Sequence, residues 1–151
     1  MMMDIDELTT EDIKESVDYI YQQILDSGWK PSKIVGIQLG GLTPALMLAK
    51  KFGMKTIDTI KMNGSYAIHY NLPVLDRKIL LIDDIADSGT TFINVLREMI
   101  MMDTNAEYDI RTAAIVHKTH TSKHTPDFIG RATQAHSWIQ FPWEWHDEVV
   151  D

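Results

Sequence analysis

The sequence predicts an α/β fold, with a mainly parallel sheet and helices on both faces. Two observations carry the prediction. Short, densely apolar runs at Ile34–Ile37, Lys78–Ile82 and Arg111–Val116 read as buried strands. Helical stretches, from about Thr10 to Asp26, Pro44 to Phe52 and Thr90 to Met102, lie between and around them. That alternation suits a parallel sheet, because each new parallel strand needs a crossover to return to the same edge.

In chain order, the first helix is announced by Ile13, Val17, Ile20, Tyr21 and Ile24, spaced three and four apart. Thr9 or Thr10 can cap its start, Gly28 ends it, and Pro31 keeps a helix from resuming at once. The strand Ile34–Ile37 follows, then a Gly40-Gly41 turn, then a helix with Pro44 in its first turn and Gly53 at its stop. Ile57 to Met62 is the next strand. Asn63 to Asp76 has no clean period and holds an Asn-Gly and a proline, which predicts a long, mobile excursion. Lys78–Ile82 is the strongest strand, ending abruptly in Asp83-Asp84. After the helix Thr90–Met102 and the strand Arg111–Val116, Phe128-Ile129 and Trp138–Phe141 are the remaining strand candidates.

At 151 residues, with no repeat and no Pro/Gly/Ser-rich linker, the chain reads as one domain over 1–151. A formal net charge of -8 argues against a general nucleic-acid binder, which needs a basic face for phosphates. Without cysteine, disulfides and thiolate metal sites are excluded. No apolar run approaches the roughly 20 residues that span a bilayer, so no membrane partner is expected. Met1 to Glu11 is acidic and lacks a signal-peptide pattern, so a cytoplasmic location is expected.

In parallel sheets, ligands sit beyond the carboxyl ends of the strands. Three segments share that edge: Gln38 to Gly41, Asp83 to Thr91, and His117-Lys118. The second carries most of the chemistry. Two carboxylates emerge from a buried strand, and a Ser88-Gly89-Thr90-Thr91 turn opens a helix. Small residues let the backbone approach a ligand, and unpaired N–H groups at the helix start favour an anion. The hydroxyls of Ser88, Thr90 and Thr91 add donors, making a pocket for a phosphate monoester. Asp83 and Asp84 suit ribose hydroxyls or a hydrated magnesium ion. An acidic helix cap is the simpler explanation, and it accounts for one of the aspartates at 83, 84 and 87 but not for all of them. His117, His120 and His124 suggest a metal, yet without cysteine or a fixed carboxylate partner zinc is not expected.

Ile82-Asp83-Asp84-Ile85-Ala86-Asp87-Ser88-Gly89-Thr90-Thr91 resembles the phosphoribosyl-pyrophosphate signature of type I phosphoribosyltransferases. The resemblance runs over roughly residues 31 to 144. It implies that family's fold, with a small hood from the C-terminal segment, and divides the domain into an N-terminal helix (1–30), a mobile loop (63–76) and a base-recognition hood and tail (119–151). It also implies that Asp83 and Asp84 meet the ribose hydroxyls, directly or with Mg2+, and that residues 87 to 91 wrap the 5′-phosphate. An acid at Asp87 is the 6-oxopurine pattern: a carboxylate beside N7 can take the proton that moves as the glycosidic bond forms. Asp87 could also serve as a helix N-cap.

Ile34 to Ala45 resembles the pyrophosphate loop of the same superfamily, with Leu39, Gly40 and Gly41 against the leaving group. Leu39 is a departure, since relatives often carry Arg or Lys there. Lys118 stands where purine enzymes of this type carry a lysine for O6, which selects a 6-oxo over a 6-amino group. A solvated surface lysine is the other reading. Trp138-Ile139-Gln140-Phe141-Pro142-Trp143-Glu144 resembles the base-recognition end of the small xanthine-guanine and archaeal-type members. There Trp138 would cover the base and the Ile139 backbone would read its edge, unless Trp138 is simply core. Trp143 and Trp145 are better assigned to packing or a subunit contact. Ser65-Tyr66 matches the mobile loop's Ser-Tyr pair, which would close over the site, and Lys61 and Arg77 are the nearest spare cations.

The implied activity is a purine phosphoribosyltransferase of purine salvage, with phosphoribosyl pyrophosphate and a purine base as partners. The implied assembly is a homodimer or homotetramer. The alternative is a non-catalytic regulator that binds phosphoribosyl pyrophosphate, for which Leu39 speaks and Asp87 and Lys118 do not. The Trp138 to Glu144 segment disfavours a pyrimidine base.

Overall fold

The computed structural model describes residues 4–64, 66–71, 78–102 and 107–144. In chain order these give β1 (Ile5–Glu7), α1 (Thr10–Ser27), β2 (Lys33–Ile37), α2 (Leu42–Lys51), β3 (Asp58–Asn63) and β4 (Tyr66–Asn71), then β5 (Lys78–Ala86), α3 (Thr90–Met102), β6 (Asp109–Lys118), β7 (Phe128–Thr133) and β8 (Trp138–Gln140). Six strands form one sheet in the order β4-β3-β2-β5-β6-β7. Every neighbouring pair is parallel except the β3–β4 hairpin. The chain reverses its direction of travel across the sheet between β2 and β5, so the carboxyl ends of these two central strands flank a crevice.

The sheet is covered on both faces, as the alternation of elements predicts. Leu80 and Ile82 of β5 pack with Ile13, Val17, Ile20 and Ile24 of α1 and Leu48 of α2. Ile79 and Leu81 face the other way, onto Phe92, Val95 and Met99 of α3. Burying each such side chain contributes about 1.5–3 kcal/mol. The first helix starts where its sequence requires. Thr9 Oγ1 accepts from the Asp12 amide at 3.1 Å and Asp12 Oδ2 accepts from the Thr9 amide at 2.8 Å, a capping box. Gly28 closes the helix at φ 76, a left-handed conformation that glycine adopts without strain.

Several boundaries depart from the sequence expectation. The strand expected to end before Asp83 runs on to Ala86, so Asp83 and Asp84 are strand residues, not a turn. Its alternation also breaks there. Ile85 packs with the α1-side cluster although Ile79 and Leu81 face α3, and Ala86 returns to the α3 side. In β6, Ile115 and Val116 both join the α1-side cluster. Both strands shift phase at the same level, beside the two aspartates. The excursion expected over 63–76 contains a strand: Tyr66–Asn71 pairs antiparallel with β3, with a register shift between Lys61 and Met62. An interrupted antiparallel edge strand lacks the apolar density that marks the sheet's centre.

Ile5–Glu7, unexpected as a strand, pairs in parallel with β8, matching Ile5 to Trp138 and Glu7 to Gln140. The hood is therefore built from both ends of the described chain. Ser65, Arg77, Trp145 and the tail beyond Glu144 lie outside the described residues. No described helix is long and apolar enough to cross a membrane.

Candidate functional site

Three adjoining cavities open beyond the carboxyl ends of β2, β5 and β6. The first, about 300 Å³, is lined by Gln38, Gly40, Asp83, Asp84, Asp87, Ser88, Gly89 and Thr91, among others. The second, about 120 Å³, lies between Asp84, Asp87, Lys118, Trp138, Ile139 and Glu144. The third, about 200 Å³, is lined by Asp87, Lys118, His120, Thr121, Thr133 and His136. Asp87 borders all three.

The phosphate-type loop takes its form from its small residues. Gly89 has φ +83, and a Cβ there would meet the backbone nitrogens of His124 at 2.6 Å and Lys123 at 3.0 Å. Ser88 Oγ accepts from the Thr90 amide at 3.2 Å and lies 3.1 Å from Thr90 Oγ1. Thr91 faces the first cavity, and Thr90 lies exposed beside it.

Asp83 and Asp84 are adjacent, largely buried acids. Asp83 Oδ1 accepts from the Asp84 amide at 2.8 Å. Burial, and after it the Asp84 charge, push the Asp83 carboxyl well above the usual carboxylate range. Burial raises Asp84 as well. The buried indole N–H of Trp143 faces Asp84 closely enough to pull its pKa down, yet makes no hydrogen bond of ordinary geometry. Among the described residues, no lysine or arginine forms an ion pair with either aspartate. Two desolvated carboxylates without a cation suit an oxygen-seeking dication completed by ligand oxygens, or a pair of hydroxyl donors.

Gly40 and Gly41 have a packing reason to be glycine. A Cβ on Gly40 would collide with the Asp84 carboxylate, and one on Gly41 with the backbone of Ile82 and Ile37. The Gln38–Leu39 peptide bond is cis. Gln38 Nε2 donates to Thr59 Oγ1 at 2.8 Å, tying the loop to β3. Leu39, an uncharged side chain, is 75% exposed and lies outside the first cavity's lining.

Lys118, 9% exposed, donates from Nζ to the Ser137 carbonyl at 2.6 Å, next to β8. It is not a solvated surface lysine. Trp138 is 55% exposed, which excludes a core role, and Ile139 beside it is buried. Phe141 stacks on Trp143 at 5.0 Å, and Glu144 accepts from the Phe141 amide at 2.9 Å, stiffening this end of the hood. Tyr66 is 71% exposed on β4 and borders none of the three cavities.

Of the three histidines that suggested a metal, His124 stacks on Phe92 at 5.0 Å and its Nε2 lies 2.9 Å from Thr112 Oγ1. His117 is buried with Nε2 unpartnered. His120 stacks on His136 at 6.0 Å. Among the described residues, no group of three or more His, Asp or Glu side chains could hold a metal ion.

A family model described as the phosphoribosyl transferase domain matches residues 4–148. The chain belongs to the phosphoribosyltransferase family. The match is wider than the 31–144 of the sequence resemblance and takes in α1 and β1. This phosphoribosyltransferase is 28% identical, over 78% of its own length and 72% of the relative's, to a xanthine-guanine phosphoribosyltransferase of Cereibacter sphaeroides. It shares its fold with a xanthine-guanine-hypoxanthine phosphoribosyltransferase of Helicobacter pylori, with TM-score 0.81 and 20% identity over 95% of this chain and 96% of that one. It also shares it with a purine phosphoribosyltransferase of Pyrococcus horikoshii, with TM-score 0.74 and 24% identity over 93% and 94% of the two chains.

Among the residues lining these cavities to which the sequence reading gave no role are Ile85 and Thr121. Ile85 borders both the first and second cavities, a position created by the phase shift in β5. Thr121 borders the third and bonds to Asp87. A hydroxyl in a loop carries no sequence signal of its own.

Proposed function

We propose that this phosphoribosyltransferase joins phosphoribosyl pyrophosphate to a 6-oxopurine (hypoxanthine, guanine or xanthine), releasing pyrophosphate and a nucleoside monophosphate. The observation that carries this reading is the place of Asp87, between a cavity lined by the phosphate-type loop and the paired acids and one lined by Lys118, Trp138 and Ile139.

In this reading the amides and hydroxyls of residues 87 to 91 hold the 5′-phosphate at the start of α3. Asp83 and Asp84 hold the ribose hydroxyls and would hold Mg2+, which would supply positive charge against the carboxylates and the pyrophosphate. Gly40 and Gly41 bring the loop backbone up to the leaving group. Trp138 stacks on the purine face, and Lys118 donates to O6, a contact a 6-amino group cannot accept. The bond from the anomeric carbon to pyrophosphate breaks, its electron pair leaving with the pyrophosphate, and the N9 lone pair forms the new bond. The Asp87 carboxylate takes the proton from N7. Holding both reactants in line supplies most of the rate. In this scheme Tyr66, at the start of β4, closes over the site.

The family resemblance further supports a homodimer or homotetramer working in the cytoplasm, and light scattering on the purified protein tests the assembly. The central test is an ultraviolet assay with phosphoribosyl pyrophosphate, Mg2+ and a panel of six bases. Turnover is expected to be fastest with a 6-oxopurine and far slower with adenine or a pyrimidine. Magnesium-dependent binding of phosphoribosyl pyrophosphate without turnover of any base would favour the regulator.

A further inference from the structure

Asp87 does not hold its orientation alone. It begins the loop after β5, where a carboxylate on a short, small-residue turn has free rotamers. Thr121, 34 residues later in the loop after β6, places Oγ1 2.8 Å from the Asp87 carbonyl and 3.0 Å from Asp87 Oδ1. Its single hydroxyl hydrogen is shared between these two acceptors. The same loop is fastened to the turn at two further points. The Lys123 amide donates to the Ser88 carbonyl at 2.8 Å, and the His124 backbone lies against Gly89 so closely that no Cβ would fit. Thr121 and Asp87 both line the third cavity, on the side of Lys118.

We propose that Thr121 is a positioning residue for the acid/base carboxylate of Asp87, an inference that rests on the reaction proposed above. The contact engages Oδ1 and leaves Oδ2 for the purine N7 proton. Losing the hydroxyl therefore leaves the carboxylate aimed at N7 for less of the time. A bond near the site mouth exchanges with water, so its loss is expected to be modest in size.

The test compares Thr121→Val and Thr121→Ser with the wild-type protein, using the 6-oxopurine that the wild type turns over. Thr121→Val is expected to lower kcat about threefold to tenfold. KM for phosphoribosyl pyrophosphate should be little changed. Thr121→Ser, which keeps the hydroxyl, should restore kcat. In an Asp87→Asn background, Thr121→Val should add almost nothing. A valine variant with wild-type kcat overturns the proposal. So does one that raises only KM for phosphoribosyl pyrophosphate, which would make Thr121 a brace for the loop and nothing more. So does an effect undiminished in the Asp87→Asn background. If the valine variant fails to fold, the serine and Thr121→Ala pair is read in its place by the same criteria. Failure of the underlying reading shows separately, as a wild-type protein that turns over no base.

Discussion

Gly40 lies so close to Asp84 that a side chain of any size on the glycine would occupy the space of the carboxylate. The pyrophosphate-type loop after β2 and the acid pair on β5 are thus fitted to one another across the sheet. Gly40→Ala should displace either the loop or the acid. Turnover is expected to fall about a hundredfold, the scale of a 1 Å misplacement at a reacting centre. Far-ultraviolet circular dichroism should remain unchanged. A fully active alanine variant would show that neither group needs its present place.

Asp87→Ala should lower kcat by about a hundredfold to ten-thousandfold while leaving the binding of phosphoribosyl pyrophosphate with magnesium largely intact. Calorimetry paired with the ultraviolet assay checks both halves. Equal turnover in the variant removes Asp87 from the proton transfer.

Lys118 is buried and already satisfied by the Ser137 carbonyl, so its amine is held in place before a base arrives. Lys118→Met keeps the stem and removes the donor. The ratio of kcat/KM for hypoxanthine over adenine should fall at least about tenfold. An unchanged ratio would leave the choice of base to the backbone of β8.

Asp83 retains its proton in the folded state to higher pH than in the unfolded chain, because burial and Asp84 oppose its charge. In that window the folded state binds more protons, so stability falls as pH rises from the ordinary carboxylate range through the raised folded value. Asp83→Asn removes this penalty and should raise the Tm of the ligand-free protein at neutral pH by about 2–4 °C. The same variant should lose the magnesium-dependent gain in Tm from phosphoribosyl pyrophosphate. Differential scanning calorimetry with and without the ligand pair separates the two effects.

His117 and His124 titrate in the opposite sense. Burial lowers both, with Asp127 partly opposing the shift of His124. Between their depressed folded values and 6.5, the unfolded chain binds more protons, so stability drops as pH falls below 6.5. Acid destabilisation should begin there, above the carboxylate range. His117→Leu is expected to weaken that early decline, as followed by denaturant midpoints at pH 7 and pH 5.5.

The legible parts of this chain are those where one force dominates. β5 shows itself because Ile79 to Ile82 are wholly buried on both faces of the sheet, so nothing interrupts the apolar run. The phosphate loop shows itself because Asp83, Asp84 and the small residues from Ser88 are adjacent in sequence. α1 is visible from its stripe and its cap. The hidden parts depend on pairing across long separations. Ile5–Glu7 is short and exposed, and only its partner 133 residues away makes it a strand. The extension of β5 through Asp84 was hidden because a carboxylate pair reads as the end of a strand, whereas the β5–β6 ladder carries it onward. Thr121 is silent for the same reason, since its partner lies in another loop.

The β1–β8 pairing ties the Trp138 wall of the second cavity to a distant part of the polypeptide. The Trp138 amide donates to the Asp4 carbonyl at 2.8 Å and the Leu8 amide to the Gln140 carbonyl at 2.9 Å, so that wall is clamped at both ends by residues that line none of the three cavities. In the proposed reaction, recognition of the base and capture of the phosphate therefore have separate mechanical supports. A tag or graft near Asp4 could loosen the grip on the base and leave the sugar half of the reaction untouched.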